Sequence, residues 1–184
     1  MNAPRHVRIV GGAWRSRLVE VAAVPGLRPT PDRVRETLFN WLGQTLDGLA
    51  CLDLFAGSGI LGFEAASRGA ASATLIERDA RALAALRRNA EKLAAAQVEI
   101  VRGDALEFLA STARRFNVAF VDPPYRQGLV EQAMPLLARV MPSGALAYAE
   151  AETPLAPPAG WRVFRQSRAG QVHFHLFERT ETAT

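Results

Sequence analysis

The alternation of short apolar runs with helical patterns is the sequence feature that most restricts how this chain can fold. The five runs, rich in Val, Ile, Leu, Ala and Phe, are residues 50–55, 73–77, 98–101, 118–121 and 145–149. Helical patterns follow the first four: one to about Arg68, one over 79–96, one over 105–114, and one that ends near Met141 with a break expected at Pro135. Continuous apolar strands are buried on both faces, and helices connect parallel neighbours. The pattern therefore predicts a doubly wound α/β domain, in which helices cover both faces of a mainly parallel sheet.

Both ends of the chain depart from this alternation. Near the C-terminus, residues 161–164 and 172–177 are joined by a short link without a helix, which predicts an antiparallel hairpin and brings the sheet to seven strands. Near the N-terminus, residues 8–10 and 18–21 flank two glycines and predict a small hairpin. A helix follows, with Thr30 as its N-cap and Pro31 at its first position. We therefore divide the chain into an extension, residues 1–45, and an α/β domain, residues 46–184.

Length and cysteine content exclude several classes of protein. The 184 residues suit one domain whose core needs no covalent staples. The single cysteine, Cys51, lies in an apolar run, which argues against a disulfide framework and a thiolate metal cluster. No apolar stretch approaches the roughly 18 residues of a spanning helix, and the first residues lack a signal-peptide core. His173 and His175 share one face of a strand, but no third metal ligand accompanies them. We expect a cytoplasmic monomer without a membrane segment or a metal.

The positive charge is concentrated at one end of the chain. The first 40 residues contain seven arginines and three acidic residues, whereas the rest of the chain holds 15 basic and 15 acidic side chains. A local basic segment is typical of proteins that bind polyanions. A coding bias toward arginine explains the residue type but not its position. Arg81, Arg87, Arg88 and Lys92 either extend this surface or form a solvated helix face, which is the simpler interpretation.

A glycine-rich turn joins the first strand of the α/β domain to its helix. Gly57, Gly59 and Gly62 match G-x-G-x-x-G, and Glu77 lies 20 residues beyond Gly57, at the end of the second strand. Open α/β sheets bind ligands at such turns, and an acid at this spacing accepts hydrogen bonds from ribose hydroxyls. The arrangement predicts an adenosine-type cofactor rather than a purely structural turn.

Two cofactors compete for this turn, a nicotinamide dinucleotide and S-adenosyl-L-methionine. A dinucleotide enzyme usually needs a second mononucleotide half, for which this chain is short. The carboxylate of Asp53 would repel a pyrophosphate but suits an ammonium group, which S-adenosylmethionine carries. Asp104, after the third strand, either accepts a hydrogen bond from the adenine amine or caps the next helix, and one carboxylate can do both. The residues favour S-adenosylmethionine.

The tetrapeptide Asp122-Pro123-Pro124-Tyr125 follows the fourth strand. In a doubly wound sheet this strand lies beside the first, so the tetrapeptide is expected at the mouth of the same pocket. Two prolines remove two backbone donors and stiffen the segment, which leaves carbonyl groups and the Asp122 side chain as acceptors. Such acceptors suit an exocyclic base amine, and Tyr125 would stack on the base. A proline-rich turn without a ligand is the alternative.

These residues resemble the Rossmann-type S-adenosylmethionine-dependent methyltransferases that modify exocyclic amines, whose signature is Asp, Asn or Ser followed by two prolines and an aromatic residue. More narrowly, the chain is similar to the RsmD family. The similarity rests on residues 8–12, 27–42, 53–59, 121–125 and 169–172, which span almost the whole chain in order. The block Arg-Pro-Thr-Pro-Asp-Arg-Val-Arg-Glu, residues 28–36, is far more specific than the glycine turn.

The resemblance implies a reaction, a partner and a set of site residues. RsmD enzymes methylate the N2 amine of one guanine in 16S ribosomal RNA, so the expected partner is this RNA or the assembling 30S small subunit. The residues expected to hold the guanine are Asp122, Pro123, Pro124 and Tyr125. The expected cofactor site comprises Asp53, Phe55, Ala56, Gly57, Ser58, Gly59, Glu77, Arg78, Asp104, Ala105 and Asp122. The expected RNA-binding residues are Arg8, Arg15, Arg17, Arg28, Arg33 and Arg35, and the helix with Arg33 and Glu36 on its polar side would close over the cofactor.

Other functions stay open at the level of the residues. The tetrapeptide recognises an amine rather than a particular base, so adenine N6 in RNA or DNA competes with guanine N2. A small dinucleotide oxidoreductase and a basic RNA-binding module with a vestigial pocket are the alternatives from other classes. Trp14 either stacks on a base or anchors the hairpin.

Overall fold

The computed structural model describes residues 5–181, so the outermost residues of both predicted regions, 1–4 and 182–184, lie outside the described part. Its strands are β1 (Arg5–Arg8), β2 (Leu18–Val21), β3 (Ala50–Asp53), β4 (Ser72–Glu77), β5 (Val98–Arg102), β6 (Val118–Val121), β7 (Leu146–Ala151), β8 (Trp161–Ala169) and β9 (Val172–Arg179). Its helices are α1 (Asp32–Leu42), α2 (Ile60–Ser67), α3 (Ala80–Leu93), α4 (Ala105–Ser111) and α5 (Leu129–Val140).

Seven of these strands form one sheet in the order β5-β4-β3-β6-β7-β9-β8. The five strands β3 to β7 pair in parallel, whereas β9 is antiparallel to both β7 and β8. The predicted fold class, a mainly parallel seven-stranded sheet with a C-terminal antiparallel hairpin, is confirmed.

The strands supply hydrophobic side chains to two clusters, one on each face of the sheet. Cys51 and Phe120 belong to one cluster, together with residues of α1, α2 and α3. Leu52 and Val121, their neighbours in sequence, belong to the other, together with residues of α4 and α5. Because successive side chains of a strand point to opposite faces, both faces of these strands are covered by helices.

The strand order reverses between β3 and β6. From β3 the chain moves outward to β4 and β5, and it then returns to β6 on the other side of β3. The loops that leave two such strands diverge and open a crevice at their carboxyl ends. The glycine turn after β3 and the tetrapeptide after β6 therefore flank one crevice.

The N-terminal hairpin is present, with its first strand earlier in the chain than predicted. β1 and β2 are antiparallel, and Arg8 at the end of β1 lies opposite Leu18 at the start of β2. Ile9, just after β1, is fully buried in the cluster that also contains Phe63 of α2. Trp14 packs against the same cluster, and its backbone N–H donates to Ser67 Oγ at 2.9 Å. The extension thus shares the core of the α/β domain, and Trp14 anchors the hairpin; the boundary at residue 45 stays a prediction about chain regions.

A buried carboxylate ties the extension to α2. Glu64 is fully buried and accepts hydrogen bonds from the backbone N–H groups of Val10 and Gly11, at 3.1 and 2.8 Å. It also pairs with the guanidinium groups of Arg35 and Arg68, at 2.9 and 3.2 Å. These contacts hold the hairpin loop and α1 against the sheet-covering helix.

Arg35 is therefore not available to RNA, and its predicted RNA contact is wrong. Its side chain is fully buried. The guanidinium pairs with Glu64 and with Asp32, and it donates to the backbone carbonyls of Thr30 and Arg8. Arg35 is buried because the buried carboxylate of Glu64 needs a cationic partner.

Two helix predictions need correction. α1 begins at Asp32, with Pro31 as its N-cap residue, so Thr30 is not the cap. The Thr30 hydroxyl instead lies between two carboxyl groups of the crevice. α5 continues through Pro135 without a break. A proline removes one helical hydrogen bond, but the fully buried side chains of Met134 and Leu137 on either side hold this helix on the core.

Candidate active site

The glycine turn has a backbone that favours glycine. Gly57 and Gly59 have φ angles of 55° and 74°, in the left-handed region. A Cβ atom on Gly59 would lie 2.4 Å from Leu86 Cδ2, and one on Gly62 would lie 2.6 Å from Leu75 Cδ1. The turn therefore lies very close to α3 at Gly59, and α2 lies very close to β4 of the sheet at Gly62, as in cofactor-binding turns of this type.

Glu77, at the end of β4, holds this turn. Its carboxylate accepts hydrogen bonds at 2.8 Å from the backbone N–H groups of Gly57, Arg78 and Asp79. Three amide donors fix the orientation of the carboxylate. Oε1 accepts from both Arg78 and Asp79, whereas Oε2 accepts only from Gly57 and retains acceptor capacity. The structure thus joins the two parts of the predicted cofactor motif, which are 20 residues apart in the chain.

Asp53 lies at the floor of the crevice. The residue is 3% exposed, and Oδ2 accepts a hydrogen bond from the backbone N–H of Gly62 at 3.0 Å. Burial raises the pKa of this carboxyl to about 7, and the nearby charge of Glu77 adds to the rise, against the effect of the Gly62 hydrogen bond. In the described part of the chain no lysine or arginine pairs with Asp53. A ligand with a positive charge would therefore be favoured here.

The other predicted residues of the turn stabilise its local structure through hydrogen bonds and packing. Ala56 is buried, and its N–H donates to the carbonyl of Ile76 at 2.9 Å. Ser58 is buried, and its Oγ accepts from the N–H of Ile60 at 3.3 Å. Phe55 is partly buried against the second hydrophobic cluster.

Asp104, after β5, is the N-cap of α4. Its Oδ1 accepts hydrogen bonds from the backbone N–H groups of Leu106 and Glu107, at 2.8 and 3.1 Å. This confirms the capping interpretation, while its contact with adenine stays a prediction. Ala105 is buried beside it, and Arg78, beyond β4, is exposed.

The tetrapeptide leaves β6 directly beside β3, because Asp53 and Phe120 are partners in the parallel register. Pro123 is buried, whereas Pro124 and Tyr125 face solvent, with Tyr125 43% exposed. The Asp122 carboxyl is withdrawn toward Thr30, whose hydroxyl is 3.5 Å from Oδ2. An aromatic side chain at the surface and an acceptor behind it form a surface for a planar base with an amine.

Three residues that the sequence reasoning did not assign to the site surround Asp122. Glu150 of β7 is 6% exposed, and its Oε1 is 3.4 Å from the Thr30 hydroxyl. The fully buried Tyr148 donates its hydroxyl to the same oxygen at 2.6 Å. Two sequence signals were available for these residues. Glu150 is an acidic residue at the end of an apolar run, and Thr30 lies inside the most specific block of the resemblance.

The carboxyl groups of the crevice raise one another's pKa values. Burial raises the pKa of Asp122 well above its usual range, and the charges of Glu150 and Asp53 raise it further. Burial likewise raises the pKa of Glu150, while the hydrogen bonds from Tyr148 and Thr30 act in the opposite direction. Burial, followed by the charges of Glu150 and Asp122, raises the pKa of Tyr125 to about 12, so it stays a neutral phenol. Where these carboxyl groups are ionised, they make the crevice a region of negative potential.

Comparison with known proteins agrees with this geometry. The model of a family described as "Conserved hypothetical protein 95" matches residues 7–178. The ribosomal RNA small subunit methyltransferase D of Escherichia coli (strain K12) is 46% identical, and the alignment covers 97% of this chain and 96% of that protein. The chain belongs to this family, the RsmD family. The protein of the same name from Haemophilus influenzae is 41% identical, with 96% of each chain covered.

The fold of the RsmD family is also found in solved structures. A structure described as a putative methyltransferase yhhF from Escherichia coli aligns with a TM-score of 0.86 at 46% identity. The alignment covers 97% of this chain and 100% of that chain. The resemblance inferred from the motifs is confirmed, as is the Rossmann-like methyltransferase fold.

In this RsmD protein the predicted RNA-binding arginines other than Arg35 are exposed. Arg8 pairs with Asp32 at 2.9 Å, and Arg17 donates to the carbonyl of Lys92 at 2.6 Å. Arg15 lines a cleft of about 490 Å³ between the hairpin loop and α1. Arg28 and Arg33 lie before α1 and in its first turn, close in sequence to Thr30 of the crevice.

A groove of about 290 Å³ separates the start of α1 from the turn between β8 and β9. Arg33 and Arg168 both line it, and Phe174 forms part of its wall. Phe174 lies opposite Glu150 in the pairing of β9 with β7, so the groove begins one strand away from the carboxyl groups of the crevice. Arg168 was not predicted as a site residue, although it directly precedes the Ala169-Gly170 segment of the resemblance.

Three further findings concern membrane spans, metal ligands and the strand histidines. No helix between residues 5 and 181 is long and apolar enough to cross a membrane. Within that same range, no group of three or more His, Cys, Asp and Glu side chains has an arrangement suited to a metal ion. His175, one of the two strand histidines, accepts a hydrogen bond from the N–H of Leu155 at 3.1 Å through Nε2.

Proposed function

We propose that this chain transfers a methyl group from S-adenosyl-L-methionine to the exocyclic N2 amine of a guanine in 16S ribosomal RNA. The observation that carries the proposal is the position of the glycine turn and of the Asp122–Tyr125 tetrapeptide on two adjacent parallel strands, at one crevice. The names of the relatives, ribosomal RNA small subunit methyltransferase D, support ribosomal RNA as the substrate.

The residues of the glycine turn fit this cofactor. The ammonium group of its methionine part would give the buried Asp53 the positive partner that it otherwise lacks among the described residues. The acceptor oxygens of Glu77 suit ribose hydroxyls, and Asp104 suits the adenine amine. When bound, S-adenosylmethionine supplies a methyl group on a positively charged sulfur atom, which the negative potential of the crevice favours.

The tetrapeptide would hold the target base. Tyr125 offers an exposed ring on which the base stacks, and the Asp122 carboxyl accepts a hydrogen bond from the amine. This hydrogen bond aligns the nitrogen and draws its lone pair away from the ring. The chain contributes mainly alignment and exclusion of water. Because the methylated amine must lose a proton, Asp122 is also the candidate acceptor for it.

The RNA would approach over the exposed arginines of the extension and the groove beside the crevice. Arg8, Arg15, Arg17, Arg28 and Arg33 supply positive charge from the N-terminal side, and Arg168 supplies it from the β8–β9 turn. Arg33 and Arg168 line one groove, which suits the phosphate of a nucleotide next to the extruded base. We infer that α1 borders both the RNA path and the cofactor crevice.

The test is transfer of tritium from labelled S-adenosylmethionine to 16S RNA or to isolated small subunits. We expect Asp122→Ala to lower the single-turnover rate by about 100-fold or more, since it removes the acceptor of the amine. The assay uses saturating S-adenosylmethionine, because Asp122 also belongs to the expected cofactor site, and calorimetry with S-adenosylhomocysteine measures how far the substitution lowers cofactor affinity. Asp47→Ala, which removes an exposed carboxylate outside the crevice, is the matched control. An Asp122→Ala variant with the activity of the control would contradict the assignment.

The same assays separate the alternatives. Binding of a nicotinamide cofactor without affinity for S-adenosylhomocysteine would favour an oxidoreductase, and RNA binding without transfer would favour a vestigial pocket. Mass spectrometry of nucleosides from cells with and without the gene identifies the base, because N2-methylguanosine and N6-methyladenosine are distinct products. A monomer acting in the cytoplasm, on naked RNA or on the assembling 30S subunit, completes the proposal.

A further inference from the structure

We propose that Glu150 is a positioning residue for Asp122: through the Thr30 hydroxyl it orients the Asp122 carboxyl and strengthens it as the acceptor of the proton from the target amine. This inference rests on the proposed function for its chemistry. Its geometric basis is independent of that function, because it concerns the contacts of three side chains. Thr30 lies in the segment before α1, Asp122 lies in the loop after β6, and Glu150 lies on β7.

The Thr30 hydroxyl lies almost equally far from the two carboxyl groups. Its Oγ1 is 3.5 Å from Asp122 Oδ2 and 3.4 Å from Glu150 Oε1, and the residue is only 4% exposed. A hydroxyl has one proton, so it can donate fully to only one of these oxygens. If one carboxyl is protonated, that carboxyl can donate to Thr30 while Thr30 donates to the other. The arrangement therefore suits two carboxylates that can take up one proton between them.

Tyr148 determines which carboxyl keeps the negative charge. Its hydroxyl donates to Glu150 Oε1 at 2.6 Å, and Tyr148 itself is fully buried. A donated hydrogen bond favours the ionised form of Glu150. An ionised Glu150 makes ionisation of Asp122 more difficult, so Asp122 gains affinity for a proton. The proton then bonds to an Asp122 oxygen as the N–H bond of the methylated amine breaks, and the nitrogen keeps the electron pair.

Four further titratable groups, Tyr125 among them, lie around this pair. Asp53 of β3 adds negative charge near Asp122, and Tyr125 of the tetrapeptide lies within reach of both carboxyl groups. Arg28 and Glu152 act on Tyr125 with opposite signs. Among the described residues, no arginine or lysine forms an ion pair with Asp122 or Glu150. Glu150 is therefore the carboxyl whose charge most directly opposes ionisation of Asp122.

The first experiment is a carbon-13 NMR titration of side-chain carboxyl groups in the full chain without cofactor. The Asp122 signal is assigned by its loss in Asp122→Asn. In Glu150→Gln, which keeps an oxygen to accept from Tyr148, Asp122 should titrate at least about one pH unit lower than in the wild type, because a like charge is removed. In Thr30→Val, which loses the hydroxyl that favours ionised Asp122, it should titrate higher. Thr30→Ser keeps a hydroxyl and should behave as the wild type.

The second experiment is the pH dependence of single-turnover methyl transfer by the same variants. Activity falls as pH drops and Asp122 becomes protonated, so the acidic limb should move down in Glu150→Gln and up in Thr30→Val. Unchanged melting temperatures exclude a folding effect. The proposal is overturned if Asp122 titrates at the same pH in Glu150→Gln as in the wild type. Absence of methyl transfer in the wild type would instead refute the proposed function, since the NMR titration does not depend on activity.

Discussion

Glu64 illustrates how one buried side chain organises its surroundings. A carboxylate without contact with water requires compensating partners, and Glu64 has two guanidinium groups and two backbone N–H groups. All of these except Arg68 belong to the extension. Arg35, which neutralises the charge of Glu64, therefore also determines how the extension docks on α2.

Arg35 and Arg33 are expected to separate stability from RNA binding. Arg35→Ala removes a partner of a buried carboxylate and should destabilise the protein by about 3–5 kcal/mol, and Arg35→Lys should restore little because it lacks the planar fork. Arg33→Ala, two residues away and exposed, is the matched control and should leave stability within about 0.5 kcal/mol. Chemical denaturation measures the first effect, and RNA binding measures the loss in Arg33→Ala. Equal stability of the two alanine variants would contradict this division.

Sequence reasoning could not distinguish these two arginines. Both lie in one basic block, and exposure at a helix depends on what the helix packs against, which a single sequence does not contain. The same limit applies to Thr30, whose residue type is typical of an N-cap but whose hydroxyl faces Asp122 and Glu150. Asp53, Glu77 and Asp122 were predictable, because strand ends and motif spacing determine where such residues lie in a parallel sheet.

At the scale of elements, the strands and their order in the chain followed from hydrophobic pattern, whereas the ends of the helices depended on local contacts. The apolar runs from 50 to 149 all became parallel strands. The central strands β3 and β6 are buried on both faces, whereas β5 at the edge of the sheet carries the exposed Glu99. Pro135 did not interrupt α5, because tertiary burial outweighed the lost hydrogen bond. Asp79 and Asp104 both became N-caps, as residue type and position favoured.

The two N-caps allow the cofactor role of Asp104 to be isolated. Asp79 caps α3 and Asp104 caps α4, each with hydrogen bonds to two backbone N–H groups. Either substitution by alanine should therefore cost about 1 kcal/mol of folding free energy. Asp104→Ala should in addition weaken S-adenosylhomocysteine binding by about tenfold, as expected for one lost hydrogen bond to adenine. Calorimetry on both variants is the measurement, and equal affinities would leave Asp104 as a cap alone.

At the scale of the whole molecule, charge and chemistry are divided between two parts of one compact core. The positive surplus lies in the first 40 residues, and the carboxyl groups of the crevice lie at the carboxyl ends of β3, β4, β6 and β7. A polyanion would be repelled by the crevice alone, so its approach requires a positive surface nearby. Arg28, which acts on Tyr125, and Arg33, which lines the groove, provide such a surface beside the crevice. Arg15 and Arg17 extend it to the other edge of the sheet, where they lie near the C-terminal ends of α2 and α3. Arg35 joins this segment rigidly to the core.

This division predicts how RNA affinity depends on salt. Charge reversal of the hairpin, Arg15→Glu with Arg17→Glu, should weaken RNA binding and reduce the slope of log K against log salt by roughly two, because two phosphate contacts are lost. Affinity for S-adenosylhomocysteine should stay unchanged, since neither residue belongs to the crevice. The matched control reverses Arg162 and Arg165, two exposed arginines of β8, and changes the net charge equally. If the control reduces the slope as much as the hairpin variant, RNA binding reflects net charge, and the hairpin is not its docking surface.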